Sequence, residues 1–215
     1  ASEGRGPRVF KPAESGCESK GESLYPADAA ALKAAAGDVR PLDEICPYRY
    51  ALPMAPAHAA EEEGNPPDIA KIEDAISELR SRPGPLLVEG AGGLLVPLGP
   101  GARMSDVARR CGLDILIVAP LGLGTLNDTQ MTVRVARDEG LAIAGIILND
   151  LTGTESPSAR RNPSAIEELC DAPLLGVFPH ISGLDSEMKK NMEDGSTAAG
   201  RLREATAGAG WDSIG

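Results

Sequence analysis

Apolar residues recur along this chain in two rhythms. In residues 68–80, DIAKIEDAISELR, the side chains of Ile69, Ile72, Ala75, Ile76 and Leu79 share one face at helical spacing, which predicts an amphipathic helix. YPADAAALKAAAG also reads as a helix, with Pro26 and Asp28 near its start and Gly37 as its stop. From Gly84 onward the rhythm changes. GPLLVEG is a short apolar strand, MSDVARRCG a short helix, and LDILIVAP a strand apolar at nearly every position. TLNDTQMTVRVARDEG follows as a helix ended by Gly140, and LAIAGIILND as another apolar strand. After a Pro- and Ser-rich loop, PSAIEELCD reads as a helix and APLLGVFP as the last strand, with weak helical patterns beyond it. Near the start, PRVFKP predicts one more strand, ended by Pro12. Residues 39–67 show little periodicity and read as a long connection with one short helix near Ala59.

Strands that alternate with helices and are apolar throughout indicate α/β architecture, a mostly parallel sheet with helices on both faces. Ligands of such sheets bind beyond the carboxyl ends of the strands. Glu89, Pro120, Asn149 and Pro179 each end a predicted strand, so all four are expected on one edge.

Composition narrows the classes. A chain of 215 residues with 42% hydrophobic content can bury the core of one ordinary domain. Aromatics make up only 3%, so Leu, Ile, Val and Ala must build that core. The formal net charge of −11 argues against nucleic acid as a partner, because such binding needs clustered cations. A small anionic ligand is still compatible, since helix N-termini and a few lysines can hold phosphate. No apolar run is long enough for a membrane span and no signal peptide is visible, so a cytoplasmic protein is expected. Cys17, Cys46, Cys111 and Cys170 form no CxxC pair and read as reduced thiols.

The chemistry concentrates in LLVEGAGGLLVPL. Glu89 ends an apolar run and is followed at once by Gly90, Ala91, Gly92 and Gly93. Glycines let a ligand approach the backbone and expose N–H groups to an anion, but a neighbouring carboxylate would repel that anion. A magnesium ion between carboxylate and phosphate resolves the conflict; a plain tight turn is the competing reading. In FKPAESG, Lys11 at a strand end can project a cation toward the same edge, although a lone lysine is more often a surface group. Asp28 is a second candidate magnesium ligand, against the simpler reading of an acid at a helix start. Asn127 and Asn149 are candidate amide readers of a ligand. GLGTLN lacks the third glycine of a dinucleotide fingerprint, so NAD is not indicated.

Taken in order and spacing, KPAESG, VEGAGGLLVPL, DILIVAPLGLGTLNDT, GIILND and LLGVFP resemble the dethiobiotin synthetase family, biotin-pathway ligases, over roughly residues 8–181. The resemblance implies a P-loop NTPase-like fold of the SIMIBI type and a homodimer. It also implies that ATP, CO2 and 7,8-diaminononanoate give dethiobiotin, ADP and phosphate. Lys11 would be the catalytic lysine, Ser15 a substrate-binding residue, and Asp28 and Glu89 the magnesium ligands and nucleotide neighbours. The backbone of Glu89, Gly90, Ala91 and Gly92 would lie beside nucleotide and substrate. Asn149 would read the adenine, with Asp150, Pro179, His180 and Ile181 lining its pocket. Asn127 would reach the substrate carboxylate across the dimer interface. Amidoligases acting on cobyrinic acid, P-loop ATPases and a non-catalytic relative without a P-loop share the fold and are the alternative readings.

Two departures from the family pattern stand out. Asp128 occupies a position where the family commonly has His, placing an extra negative charge near a carboxylate-binding residue. No G-x-x-x-x-G-K-[ST] occurs in the chain, whereas the family opens with a strand and such a P-loop. The expectation is therefore a single P-loop NTPase-like domain over residues 1–215, N-terminally truncated, with its first strand and P-loop missing. Such a chain is expected to be poorly stable and nearly inactive by itself.

Overall fold

The structure is a computed structural model that describes residues 7–184. In chain order, β1 (Arg8–Phe10), β2 (Ala13–Glu14), β3 (Glu18–Lys20) and β4 (Ser23–Tyr25) precede α1 (Ala27–Ala36) and α2 (Leu42–Ile45). Then come β5 (Tyr48–Arg49), α3 (Pro56–Glu62), α4 (Ile69–Ser81), β6 (Leu86–Val88), β7 (Pro97–Gly99) and β8 (Ala102–Arg103). The last third holds α5 (Met104–Arg110), β9 (Ile115–Pro120), α6 (Thr125–Asp138), β10 (Ile143–Asn149), α7 (Pro157–Leu169) and β11 (Leu174–Phe178). The helical patterns expected beyond the last strand lie outside the described residues. The described chain falls into two compact units, residues 7–111 and 112–184.

In the first unit β1 and β6 pair in parallel, from Arg8 opposite Leu86 to Phe10 opposite Val88. The strand expected to end at Pro12 resumes as β2, which pairs in parallel with β5. Proline carries no N–H, so pairing breaks there without the chain turning away. Val9, Ala29, Ile45 and Cys46 form a small buried cluster that seats α1 and α2 on this strand. α4 starts where its sequence says: the Asp68 carboxylate caps it by accepting from the Lys71 N–H at 3.2 Å, and Ile72, Ile76 and Leu79 are buried. α1 ends at Gly37, whose φ of 63° lets Asp38 donate back to the Lys33 carbonyl at 3.0 Å. The connection over residues 39–67 has more structure than its sequence suggests, because α2, β5 and α3 all fall within it.

In the second unit three parallel strands lie in the order β11, β10, β9. Ile146, Leu148 and Ile166 are fully buried among Ile117, Ala119, Val133 and Cys170, joining the strands to α6 and α7. Each such side chain contributes roughly 1.5–3 kcal/mol by leaving water. Gly145 allows the closest approach, since a Cβ there would meet Leu175 Cγ at 2.5 Å. The alternate residues of β9 face outward: Leu116 and Val118 are 40% and 60% exposed, and the strand pairs only with β10 among the described residues.

One helix boundary departs from expectation. α7 begins six residues before PSAIEELCD, inside the stretch that reads as a loop. Ser156 accepts from the Ala159 N–H at 3.0 Å and Pro157 occupies the first turn, where its missing N–H costs nothing. Pro163 is carried within the helix, which gives up one backbone bond to keep Asn162, Ala165 and Ile166 buried.

Candidate active site

The first unit assembles its charged residues at the carboxyl ends of β1 and β6. Lys11 follows β1, anchored by its N–H to the Ile45 carbonyl at 2.8 Å. Glu89 follows β6, with its N–H donating to the Phe10 carbonyl at 2.9 Å. Parallel pairing therefore sets the two residues side by side across 78 positions of sequence. Lys11 Nζ donates to Glu89 Oε1 at 2.8 Å and to the Gly90 carbonyl at 3.3 Å, and lies 3.2 Å from Asp28 Oδ2. The lysine side chain is only 4% exposed, while those of Asp28 and Glu89 are 63% and 43% exposed. Burial alone would lower the Lys11 pKa, but the two carboxylates outweigh it and hold the ammonium above its usual 10.5. The ammonium donates to Glu89 and to the Gly90 carbonyl.

Sequence reasoning missed a fourth member of this cluster. Glu14 is 5% exposed, and its two carboxylate oxygens accept from the Asp28 and Ala29 N–H groups at 2.9 and 3.0 Å. Burial pushes its pKa up against those two bonds. KPAESG contains the acid, but the amides it meets lie 14 and 15 residues away.

The glycines after Glu89 have steric reasons. Gly92 has a φ of 75°, and a Cβ there would lie 2.8 Å from Val96 Cγ2. A Cβ on Gly90 would meet the Met104 side chain at 3.2 Å. Ala91 lies between them, partly buried, and Ser15 is partly buried just beyond β2. The Glu89 carboxylate has the buried Lys11 ammonium as its partner.

The second unit aligns its candidates in register. Asn149 pairs with Pro120 on one side and Phe178 on the other, so the ends of β9, β10 and β11 form one edge. Asp150 donates its N–H to the Phe178 carbonyl at 2.9 Å, and its carboxylate accepts from the Thr152 and Gly153 amides at 3.1 and 2.9 Å. That closes the loop on itself. Pro179, His180 and Ile181 follow β11, and the His180 ring packs over Gly153, where a Cβ would meet it at 2.9 Å. Asn127 stands exposed in the first turn of α6, its amide donating to Asp128 Oδ1 at 3.0 Å.

As a magnesium site the first unit offers two hard oxygen donors, Asp28 and Glu89, converging on one ammonium with carboxylate surface still open to solvent. Among the described residues no group of three or more His, Cys, Asp or Glu side chains could hold a metal. Two carboxylates suit magnesium, which completes its shell with water and phosphate oxygens. The four cysteines are free and buried, and burial drives the Cys17 and Cys46 thiols up to about 11 and about 12, which suits inert core residues. No helix among the described residues is long and apolar enough to cross a membrane.

The first unit gathers a lysine, two acids and a glycine loop beyond the carboxyl ends of its parallel strands, and residues 2–188 match the family described as an AAA domain. The chain is 44% identical over 170 residues to the ATP-dependent dethiobiotin synthetase BioD of Anaeromyxobacter dehalogenans, covering 79% of this chain and 74% of that protein. It is 38% identical over 183 residues to the protein of the same name from Aromatoleum aromaticum, covering 85% and 81%. The chain belongs to the dethiobiotin synthetase family. Among solved structures, a ParA family ATPase from Chlorobium tepidum is similar at a TM-score of 0.49 and 15% identity, over 96% of this chain and 83% of that one.

Proposed function

We propose that this chain is an ATP-dependent dethiobiotin synthetase, an ATP-using ligase that carboxylates 7,8-diaminononanoate with CO2 and closes the ureido ring, releasing ADP and phosphate. The observation that carries the reading is the buried Lys11 ammonium, 2.8 Å from Glu89 and 3.2 Å from Asp28, beside the glycine loop. In this reaction one substrate amine takes up CO2, the carbamate oxygen accepts the γ-phosphoryl group, and the second amine displaces phosphate at the carbonyl carbon. Every stage places negative charge on oxygen, and phosphoryl transfer is driven chiefly by positioning and neutralising that charge. Lys11, protonated throughout, donates to the carbamate and phosphoryl oxygens rather than removing a proton. Asp28 and Glu89 would hold magnesium, which would supply positive charge to offset that of the phosphate oxygens.

Ser15 binds substrate in this reading, and the backbone of Glu89, Gly90, Ala91 and Gly92 borders nucleotide and substrate. Asn149 reads the adenine, with Asp150, Pro179, His180 and Ile181 around it. The Asp150 contribution comes through the loop it closes, since its carboxylate is already engaged there. Asn127 serves the substrate carboxylate across a homodimer interface, and its amide donates to Asp128 Oδ1. A cytoplasmic location fits this chemistry. No G-x-x-x-x-G-K-[ST] triphosphate cradle occurs among the described residues.

The test is product analysis on a protein that includes the cradle, incubated with 7,8-diaminononanoate, ATP, magnesium and bicarbonate. Dethiobiotin with one ADP per ring is expected. ATP hydrolysis driven by some other acid or amine, with no dethiobiotin formed, would move the chain to the cobyrinic acid type of amidoligase.

A further inference from the structure

We propose that Glu14 is a positioning residue of this site: its buried carboxylate ties the first turn of α1 to β2, three residues after Lys11, and so fixes Asp28 for the ammonium and the divalent ion. The inference rests on the assignment of Asp28 as a metal ligand. Its starting point is an unusual helix start. The residue before α1 is Pro26, which has no side-chain oxygen and makes no capping bond. The first-turn N–H groups of a helix need acceptors, which a local Ser, Thr, Asp or Asn usually supplies. Here they come from Glu14, 14 and 15 residues upstream, with one oxygen on Asp28 and the other on Ala29.

Both ends of Glu14 are fixed. Its main chain pairs with Arg49 of β5, and its carbonyl accepts the Tyr50 N–H at 2.9 Å. Ala29, the second amide it holds, is wholly buried in the cluster with Val9, Ile45 and Cys46. Asp28 therefore has its backbone clamped between Glu14 and the core, while its side chain is mostly exposed and meets only Lys11 among the described contacts. Among the described contacts, Glu14 is the side chain that holds the Asp28 amide. The device is also electrostatically expensive. It buries an acid beside Asp28, a second acid, where a serine at position 26 would cap one of those amides without burying a charge. A connection between strand and helix is what the buried acid supplies and a local cap would not.

The test is divalent-ion affinity, read by Mn2+ binding in the presence of ATP using electron paramagnetic resonance, alongside the Mg2+ dependence of turnover. In the full protein, Glu14→Gln is expected to weaken Mn2+ binding about 5- to 10-fold and to raise the half-saturating Mg2+ concentration by a similar factor. The KM for the diamine should stay within about twofold, because Glu14 does not touch substrate. Asp28→Asn should give a comparable shift, and the double variant little more, since the two residues act as one unit. Adding Pro26→Ser to Glu14→Gln gives α1 a local cap and supports folding, yet the Mn2+ shift should persist. Full recovery of Mn2+ affinity in that variant, or an unshifted affinity in Glu14→Gln while Asp28→Asn is shifted, overturns the proposal and leaves Glu14 a helix cap. An unshifted affinity in Asp28→Asn overturns it as well, and is told apart because the failure then lies in the metal assignment.

Discussion

Replacing Lys11 with Met separates the catalytic from the structural worth of the buried ammonium. Its two contacts, at 2.8 and 3.2 Å, each carry a Coulomb attraction of about 1.5–6 kcal/mol as the effective dielectric falls from ~80 to ~20. Because both carboxylates are largely exposed, the weaker end applies. Against this stands the desolvation of a side chain 4% exposed, which costs several kcal/mol. The terms nearly cancel, and methionine fills a similar volume, so stability should change by only about 1 kcal/mol. That corresponds to a Tm shift of roughly 2–4 °C in a protein of this size. Turnover should behave otherwise. Loss of a donor aimed at a developing oxyanion costs about 10²–10³-fold. Calorimetric melting and dethiobiotin formation, measured on the same preparation, read the two quantities. A Tm fall of more than about 10 °C, or turnover within tenfold of the wild type, would refute the reasoning. The lysine also sets an alkaline limit. Its folded pKa lies above 10.5, so its contribution is complete below that pH and is lost only as pH rises through the higher value.

Three further outcomes are expected. Gly92→Ala should destabilise the first unit by about 1–3 kcal/mol in thermal melts, because it forces a side chain into a positive φ and against Val96. Asn149→Ala should raise the KM for ATP about 5- to 30-fold, the loss of one or two amide hydrogen bonds, and leave the KM for the diamine unchanged in steady-state kinetics. Asp106 is held down to about 2 by the Arg103 backbone amide, then by the Arg103 side chain, so its stabilisation is present above 3.8 and lost as pH falls through about 2. Melts between pH 5 and 2 should therefore show a shallower acid loss in Asp106→Asn than in the wild type.

Much of the frame was legible because its signals are local. Asp68 followed by Ile69, Ile72, Ile76 and Leu79 carries both cap and buried face of α4 within one stretch, and the structure reproduces it within a residue. The runs that became β9, β10 and β11 are apolar enough to read directly. The hairpin of β3 and β4 offered no such signal: ESKGESLY is mostly exposed, and its Gly21 turn has no apolar alternation on either side. Only the first six residues of α7 were hidden, by Pro163, a local rule overridden by the burial of Asn162, Ala165 and Ile166. In the site, Lys11, Asp28 and Glu89 lie in recognisable motifs, whereas Glu14 acts through amides of another element. Periodicity cannot report such a pairing.

The most direct measurement is the Mg2+ dependence of dethiobiotin formation in Glu89→Gln, in a protein that includes the phosphate cradle. Loss of the charge that shares Lys11 with Asp28 should lower turnover at saturating ATP by about a hundredfold or more and move the Mg2+ requirement upward. A variant that makes dethiobiotin at the wild-type rate with the same Mg2+ midpoint would show that the acid before the glycines has no part in the chemistry.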